Sequence, residues 1–302
     1  MVKLNIITVH LCSKWMKVQK RFIDKHLTNC EIKWHVVVSN ENDSLISKEI
    51  YKTTPIIIEP TYDIKEVSKR HGKKIGRDHS IKLATAYKQI SETMKDDDLI
   101  LVMDSDAFPI KNIDHLIESI NKEDEYLYAI QRKENGELYA HPSFCLTKKK
   151  TISRLSKHVN FVNEGSGETP VTSVWMRAIV QSVWDSEKID TAGALTQCIE
   201  REKLKWVPLE RTNTIDLVPV LFGIYGDLIY HHGCGSRHPS TDVIRKRINL
   251  ALTSEELITL IHIYNKISTM VFDTIVADDN FCELFEGETP VHLMKIKYTL
   301  FA

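Results

Sequence analysis

Apolar residues fall in short dense runs separated by stretches of helical spacing. Residues 5–9 (NIITV) form the first run and predict a strand buried on both faces. Over 12–27, Trp15, Val18, Phe22 and Ile23 recur at helical spacing. Residues 34–38 predict a second strand, closed by the polar run 39–44, and 55–59 a short third strand between Pro55 and Pro60. Leu83, Tyr87, Ile90 and Met94 make one stripe of a helix over 78–94, which Asp78 or Ser80 can cap. The apolar run 99–103 is a fourth buried strand, ending abruptly in Asp104-Ser105-Asp106, after which Pro109 blocks continuation of a ladder. Strands alternating with helices predict a mostly parallel sheet flanked by helices, whose ligands bind beyond the carboxyl ends of the strands. Thr8-Val9-His10, Ser39-Asn40 and Asp104-Ser105-Asp106 all fall at those ends.

The second half has a different texture. Residues 112–120 are helical, 125–131 (EYLYAIQ) alternate as a strand, and the turn signal Glu134-Asn135-Gly136-Glu137 predicts an antiparallel return over 138–146. A short helix over 149–158 precedes a loop with two glycines at 163–169, and 170–184 is helical with Pro170 in its first turn. A helix over 194–202, a small strand over 206–209 and a strand over 226–232 follow, the last opening into Gly233-Cys234-Gly235-Ser236-Arg237. Beyond Pro239, residues 241–252 and 254–275 form a helical tail.

Length and charge narrow the function classes. A chain of 302 residues suits one large α/β domain with an appendage. The formal net charge of -1 gives no global field for nucleic acid or an anionic membrane. Basic runs at 14–21, 70–74 and 148–150 read as solvated faces and turns. The six cysteines include no Cys-x-x-Cys pair, which leaves zinc knuckles and dithiol chemistry without support and predicts free thiols. Neither a signal peptide nor a run of apolar residues long enough to span a membrane is evident, so a cytoplasmic protein without a transmembrane segment is expected.

Candidate chemistry begins at Asp104 and Asp106. On an extended chain they share a face about 6.6 Å apart. At an effective dielectric near 20 their charges repel by about 2.5 kcal/mol, a cost that a cation removes. Oxygen ligands suit Mg²⁺ or Mn²⁺, and Mg²⁺ favours one or two carboxylates plus substrate phosphates. A histidine from His231-His232 can join them and shifts the preference toward Mn²⁺. Strand alternation lets only one of the pair face the carboxylates and does not say which. The glycines after them permit close backbone approach, and Arg237 suits phosphate oxygens. Alone, Asp-x-Asp is equally a solvated acidic turn, and His-His a surface pair.

The order of these features resembles the nucleotide-sugar glycosyltransferases of GT-A fold. LILVMDSDAFP is similar to their Asp-x-Asp segment, Gly76-Arg77-Asp78-His79-Ser80 to the segment leading into it, and IYHHGCGSR to their late histidine motif, over roughly residues 1–240. The resemblance implies a Rossmann-like, mostly parallel sheet, with a nucleotide-sugar-binding half at 1–110, an acceptor-binding half at 111–240 and a helical extension at 241–302. It also implies a metal site of Asp104, Asp106 and His231 or His232, with Asp104 touching ribose or metal through water. Thr8, Val9 and His10 would line the base pocket, partly through backbone atoms. Arg77, Asp78 and Ser105 would meet the nucleotide, and Arg237 the diphosphate.

An inverting transferase needs a carboxylate base. Asp190, which is equally a helix cap, and Glu168 are the candidates. Phe144, Trp175 and Trp184 can stack on a sugar or belong to the core. The implied function is transfer of a sugar from a UDP- or GDP-linked donor to a hydroxyl of a carbohydrate or glycoconjugate acceptor, with Mn²⁺ or Mg²⁺. The rivals are a sugar-phosphate nucleotidyltransferase, which usually wants a glycine-rich loop where His10-Leu11-Cys12-Ser13 stands, and a non-catalytic nucleotide- or carbohydrate-binding module.

Overall fold

The computed structural model describes residues 2–58, 74–122, 126–134, 137–156, 193–213, 222–233 and 253–285. The expected loop and helix at 163–184 and the helix at 241–252 lie outside these residues. The chain opens with β1 (Val2–His10), a 3-10 turn (Ser13–Trp15), α1 (Met16–His26), β2 (Cys30–Val38), α2 (Glu41–Tyr51) and β3 (Ile56–Ile57). Then come α3 (Lys74–Ser91), β4 (Leu99–Asp104), β5 (Ala107–Pro109), α4 (Asp114–Lys122), β6 (Tyr126–Glu134), β7 (Glu137–Lys148) and α5 (Lys149–Ser156). The last described elements are α6 (Gly193–Glu202), β8 (Lys205–Leu209), β9 (Gly223–Tyr225), β10 (Ile229–His231), α7 (Ser254–Ala277) and a 3-10 turn (Phe281–Phe285).

Among the described residues the main sheet has seven strands in the order β3-β2-β1-β4-β7-β6-β8. β1 pairs in parallel with both β2 and β4, and only β7 runs against the rest. Two-sided burial explains the dense apolar runs. Alternate residues of β1 and β4 enter opposite layers: Ile7, Val9, Ile100 and Val102 pack with Leu83 and Tyr87 of α3, while Leu4, Ile6, Leu99 and Leu101 pack with Met16 and Ile23 of α1 and Ile117 of α4. Each such side chain contributes about 1.5–3 kcal/mol when fully buried.

Three features depart from the sequence expectation. The polar run 39–44 does not simply close β2, because Asn40 caps α2 by accepting from the Asp43 backbone N–H at 2.9 Å. Its apolar stripe is thin, with Ile46 and Ile50 partly buried, Tyr51 buried and Leu45 exposed, so the periodicity was weak. Of the strand expected over 226–232, residues Ile229–His231 are extended as β10, whereas 226–228 form the turn of a hairpin with β9. Gly226 and Asp227 adopt φ values of 59° and 56°, and Leu228 N–H closes the turn on Tyr225 C=O at 3.0 Å. Pro109, finally, does not prevent a ladder after the Asp-x-Asp. It ends β5, which joins β10 and β9 in an antiparallel three-stranded sheet, with Pro109 opposite Ile229.

α7 is packed into the same body. Tyr264, Ile267, Val271 and Ile275, with Phe281 and Phe285, share an apolar cluster with Trp15, Phe22, Phe108 and Tyr230. No helix among the described residues is long and apolar enough to cross a membrane.

Candidate metal centre

The strand order turns back between β1 and β4, so the carboxyl ends of these two strands stand where open α/β sheets hold their ligands. Asp104 is the last residue of β4. The short ladder of β5 on β10 then sets His231 opposite Ala107, one residue past Asp106, and the His232 backbone N–H donates to Asp106 C=O at 3.0 Å. The ligand atoms of Asp104, Asp106 and His231 therefore lie within 4.8 Å of one another. His231 Nε2 stands 3.4 Å from Asp104 Oδ2 and 3.6 Å from Asp106 Oδ1. The Asp104 side chain is 21% exposed, against 8% for Asp106 and 4% for His231, so the group opens to solvent on the Asp104 side. Two carboxylates and one imidazole form a donor set that fits Mn²⁺ or Mg²⁺.

Charge at the site is strongly coupled. Burial works to raise the Asp104 carboxyl, but its hydrogen bond to His231 and the nearby His79 outweigh that and bring it to about 2. Asp106 is lowered too, burial again being overcome by His231. Burial opposes the charged form of His231, yet hydrogen bonds to both carboxylates carry it up to about 9. Each side holds the other in its charged form, which is what a cation site does when a proton stands in for the cation.

Five residues that the motifs did not assign stand around the site. His79, in α3, places Nε2 3.4 Å from Asp104 Oδ1. The Arg132 guanidinium lies 3.3 Å from His231 Nδ1 and 3.4 Å from His141 Nε2, where its charge opposes the protonation of His231. His141 is fixed by Ser143, whose backbone N–H and hydroxyl lie 3.1 and 2.8 Å from Nδ1. Tyr225 is buried, which would raise its phenol, but Arg132, His231 and Arg211 bring it below the ordinary value. The available signal was positional. Arg132 stands one residue past the predicted strand 125–131, and His79 lies inside the GRDHS segment itself.

The other expected site residues are distributed as follows. Of the two histidines left open as ligands, His231 joins the carboxylates, and His232 turns both ring nitrogens to other partners. Its Nδ1 lies 2.9 Å from the Tyr230 hydroxyl and its Nε2 2.9 Å from Ser268 Oγ of α7, and the ring packs on Trp15 at 4.6 Å. Burial lowers it to about 3. Thr8, Val9 and His10 have buried side chains, which leaves the main chain at the end of β1 as their means of meeting a ligand. His10 is neutral, burial lowering it to about 4. Ser105 is buried within the Asp-x-Asp turn. Arg77 and Asp78 belong to α3, the helix that brings His79 to Asp104. Phe144 is wholly buried opposite Met103 and is core, which removes it as a sugar-stacking face. Asp190, Glu168, Arg237, Trp175 and Trp184 lie outside the described residues.

No family model and no curated protein matches this sequence. Solved structures with a similar arrangement include a galactosyltransferase, LgtC, in complex with donor and acceptor sugar analogs (15% identity, TM-score 0.33, covering 49% of this chain and 58% of that one). They include the glycosyltransferase GlyE of Streptococcus pneumoniae TIGR4 (11% identity, TM-score 0.34, 72% of this chain and 46% of that one). They also include a 4-diphosphocytidyl-2C-methyl-D-erythritol synthase (13% identity, TM-score 0.36, 69% of this chain and 88% of that one). This chain thus spans little more than half of LgtC. Likeness at this level carries nothing about substrate, and the chemistry follows from the site itself.

Proposed function

We propose that the chain is a metal-dependent glycosyltransferase that moves a sugar from a UDP- or GDP-linked donor to a hydroxyl of a carbohydrate or glycoconjugate acceptor, in the cytoplasm. The observation that carries this proposal is the convergence of Asp104, Asp106 and His231 within 4.8 Å at the carboxyl end of β4, beside the turning point of the sheet. These three residues would hold Mn²⁺ or Mg²⁺. When bound, the cation supplies Lewis-acid stabilisation of the departing diphosphate. Arg132 and His79 bring further donors to the rim of the same site. Arg77, Asp78 and the main chain of Thr8, Val9 and His10 would hold the nucleoside, Arg237 the diphosphate, and Asp190 or Glu168 would take the acceptor proton.

A screen of nucleotide-sugars for Mn²⁺-dependent donor hydrolysis tests this reading, with the released nucleotide as readout. One donor should be hydrolysed to its nucleoside diphosphate with Mn²⁺ present, and Asp106→Ala should abolish the reaction. Near-normal turnover in Asp106→Ala would sink the metal assignment. Pyrophosphate released from a nucleoside triphosphate and a sugar phosphate would identify a nucleotidyltransferase instead, although β1 runs into Leu11-Cys12-Ser13-Lys14 without a glycine. Nucleotide binding without turnover of any donor would identify a binding module.

A further inference from the structure

Gln19 is a wholly buried polar side chain of α1, in a helix whose other buried residues are Met16, Val18, Phe22 and Ile23. Its Nε2 donates to Asp104 C=O at 2.8 Å and to Ala107 C=O at 3.0 Å. Those two carbonyls bracket Ser105 and Asp106. Because both are obligate acceptors, they fix which end of the amide carries the hydrogens. The amide oxygen then lies 3.2 Å from the Tyr51 hydroxyl and 3.2 Å from His10 Nε2. Tyr51 is held in turn by the Met16 C=O at 3.2 Å and lies 3.0 Å from His10 Nε2. Both N–H groups of the amide are thereby engaged by main-chain carbonyls flanking the Asp-x-Asp turn, while its oxygen faces His10 of β1 and the Tyr51 hydroxyl of α2, whose single hydrogen it shares with the Met16 C=O. A methionine would fill the same space, but it offers nothing to the two carbonyls.

We propose that Gln19 is a positioning residue for the metal centre: its amide braces the Asp104-Ser105-Asp106 turn from within, so that the two carboxylates converge on His231. The opposite side of the turn is held by the His232 N–H on Asp106 C=O, which leaves Gln19 as the interior half of a two-sided clamp. This inference rests on the reading that Asp104, Asp106 and His231 bind a divalent cation.

The test is Mn²⁺ affinity of the full chain, measured by electron paramagnetic resonance, for wild type, Gln19→Met and Tyr51→Phe. Outer-shell partners of metal ligands set affinity by about 10- to 100-fold, and Gln19→Met should lose that much while keeping its circular dichroism spectrum. Tyr51→Phe, which frees the amide oxygen from one partner, should shift affinity in the same direction by less. Ile120→Val, a core change in α4, should lower the unfolding midpoint and leave Mn²⁺ affinity unchanged, which separates positioning from general stability. A folded Gln19→Met with wild-type affinity overturns the positioning role and leaves the metal site standing. If Gln19→Met does not fold, unchanged affinity in Tyr51→Phe overturns it. A wild-type chain that binds no Mn²⁺ removes the metal reading and this inference with it.

Discussion

His231 and His232 are neighbours with opposite duties, and a pair of substitutions separates them. His231→Gln removes a ligand, so its Mn²⁺ affinity should fall by more than the outer-shell range of about 10- to 100-fold. His232→Leu should keep Mn²⁺ binding and lose about 1–3 kcal/mol of stability in urea unfolding, because the buried Tyr230 hydroxyl and the half-buried Ser268 hydroxyl lose their shared partner. Equal loss of metal in both variants would contradict the assignment. The pH dependence follows from the same residue. A cation must displace the proton that His231 holds up to about pH 9 in the metal-free protein. Apparent Mn²⁺ affinity should therefore rise about tenfold per pH unit toward that value, with proton release on binding. In the metal-free protein the linkage has two signs. His231, raised from 6.5 to about 9, contributes stability that is complete below 6.5 and lost as pH rises through 9. Asp104, lowered from 3.8 to about 2, contributes stability that is complete above 3.8 and lost as pH falls through 2. His10 and His232, held neutral by burial down to about 4 and about 3, are protonated in the unfolded chain below 6.5, so unfolding midpoints should climb as pH rises toward 6.5 and decline as it rises from there through 9. The sequence named the carboxylates because a dense apolar run aimed them. It could not choose between the histidines, since the choice is made by Trp15, Ser268 and Asp104, which are remote in the chain.

At the scale of elements, the site depends on a hairpin and on a helix that packs behind it. Gly226 sits at φ +59°, and a Cβ there would also meet Leu209 Cδ2 at 3.0 Å. A left-handed conformation costs an L-residue about 1–2 kcal/mol, so Gly226→Ala should lower stability by at least that much and weaken Mn²⁺ binding through β10. Unaltered Mn²⁺ affinity in a destabilised Gly226→Ala would show that the hairpin does not set the position of His231. The Gly-Asp signal for this turn stood in the sequence, but apolar residues on both sides made one strand look sufficient. α2 was hidden for a different reason: Asp43 and Ser47 are buried beside its few apolar residues and break the stripe. The tail helix was legible from the helix-forming composition after Pro239, whereas its docking was not. Phe281, wholly buried against Phe22, Phe108 and Tyr230, shows how firmly that region is held. Phe281→Ala should cost about 3–5 kcal/mol in urea unfolding.

At the scale of the whole molecule, two-sided burial of β1 and β4 goes with a mostly parallel sheet, the turn in strand order marks where their carboxyl ends can meet a ligand, and a second small sheet brings a histidine there. The first two could be inferred from runs of apolar residues. The small sheet could not, because β5, β9 and β10 are three residues each and Pro109 argued against a ladder where one forms. That sheet is what turns a short acidic motif and a distant His-His into one cluster. The most direct test of the cluster is calorimetric titration of UDP and GDP into the full chain, with and without Mn²⁺, in wild type and Asp106→Ala. One nucleotide should bind wild type only when Mn²⁺ is present, and neither should bind Asp106→Ala under either condition. Nucleotide binding that is indifferent to Mn²⁺, or that survives intact in Asp106→Ala, would contradict the metal centre on which the functional proposal stands.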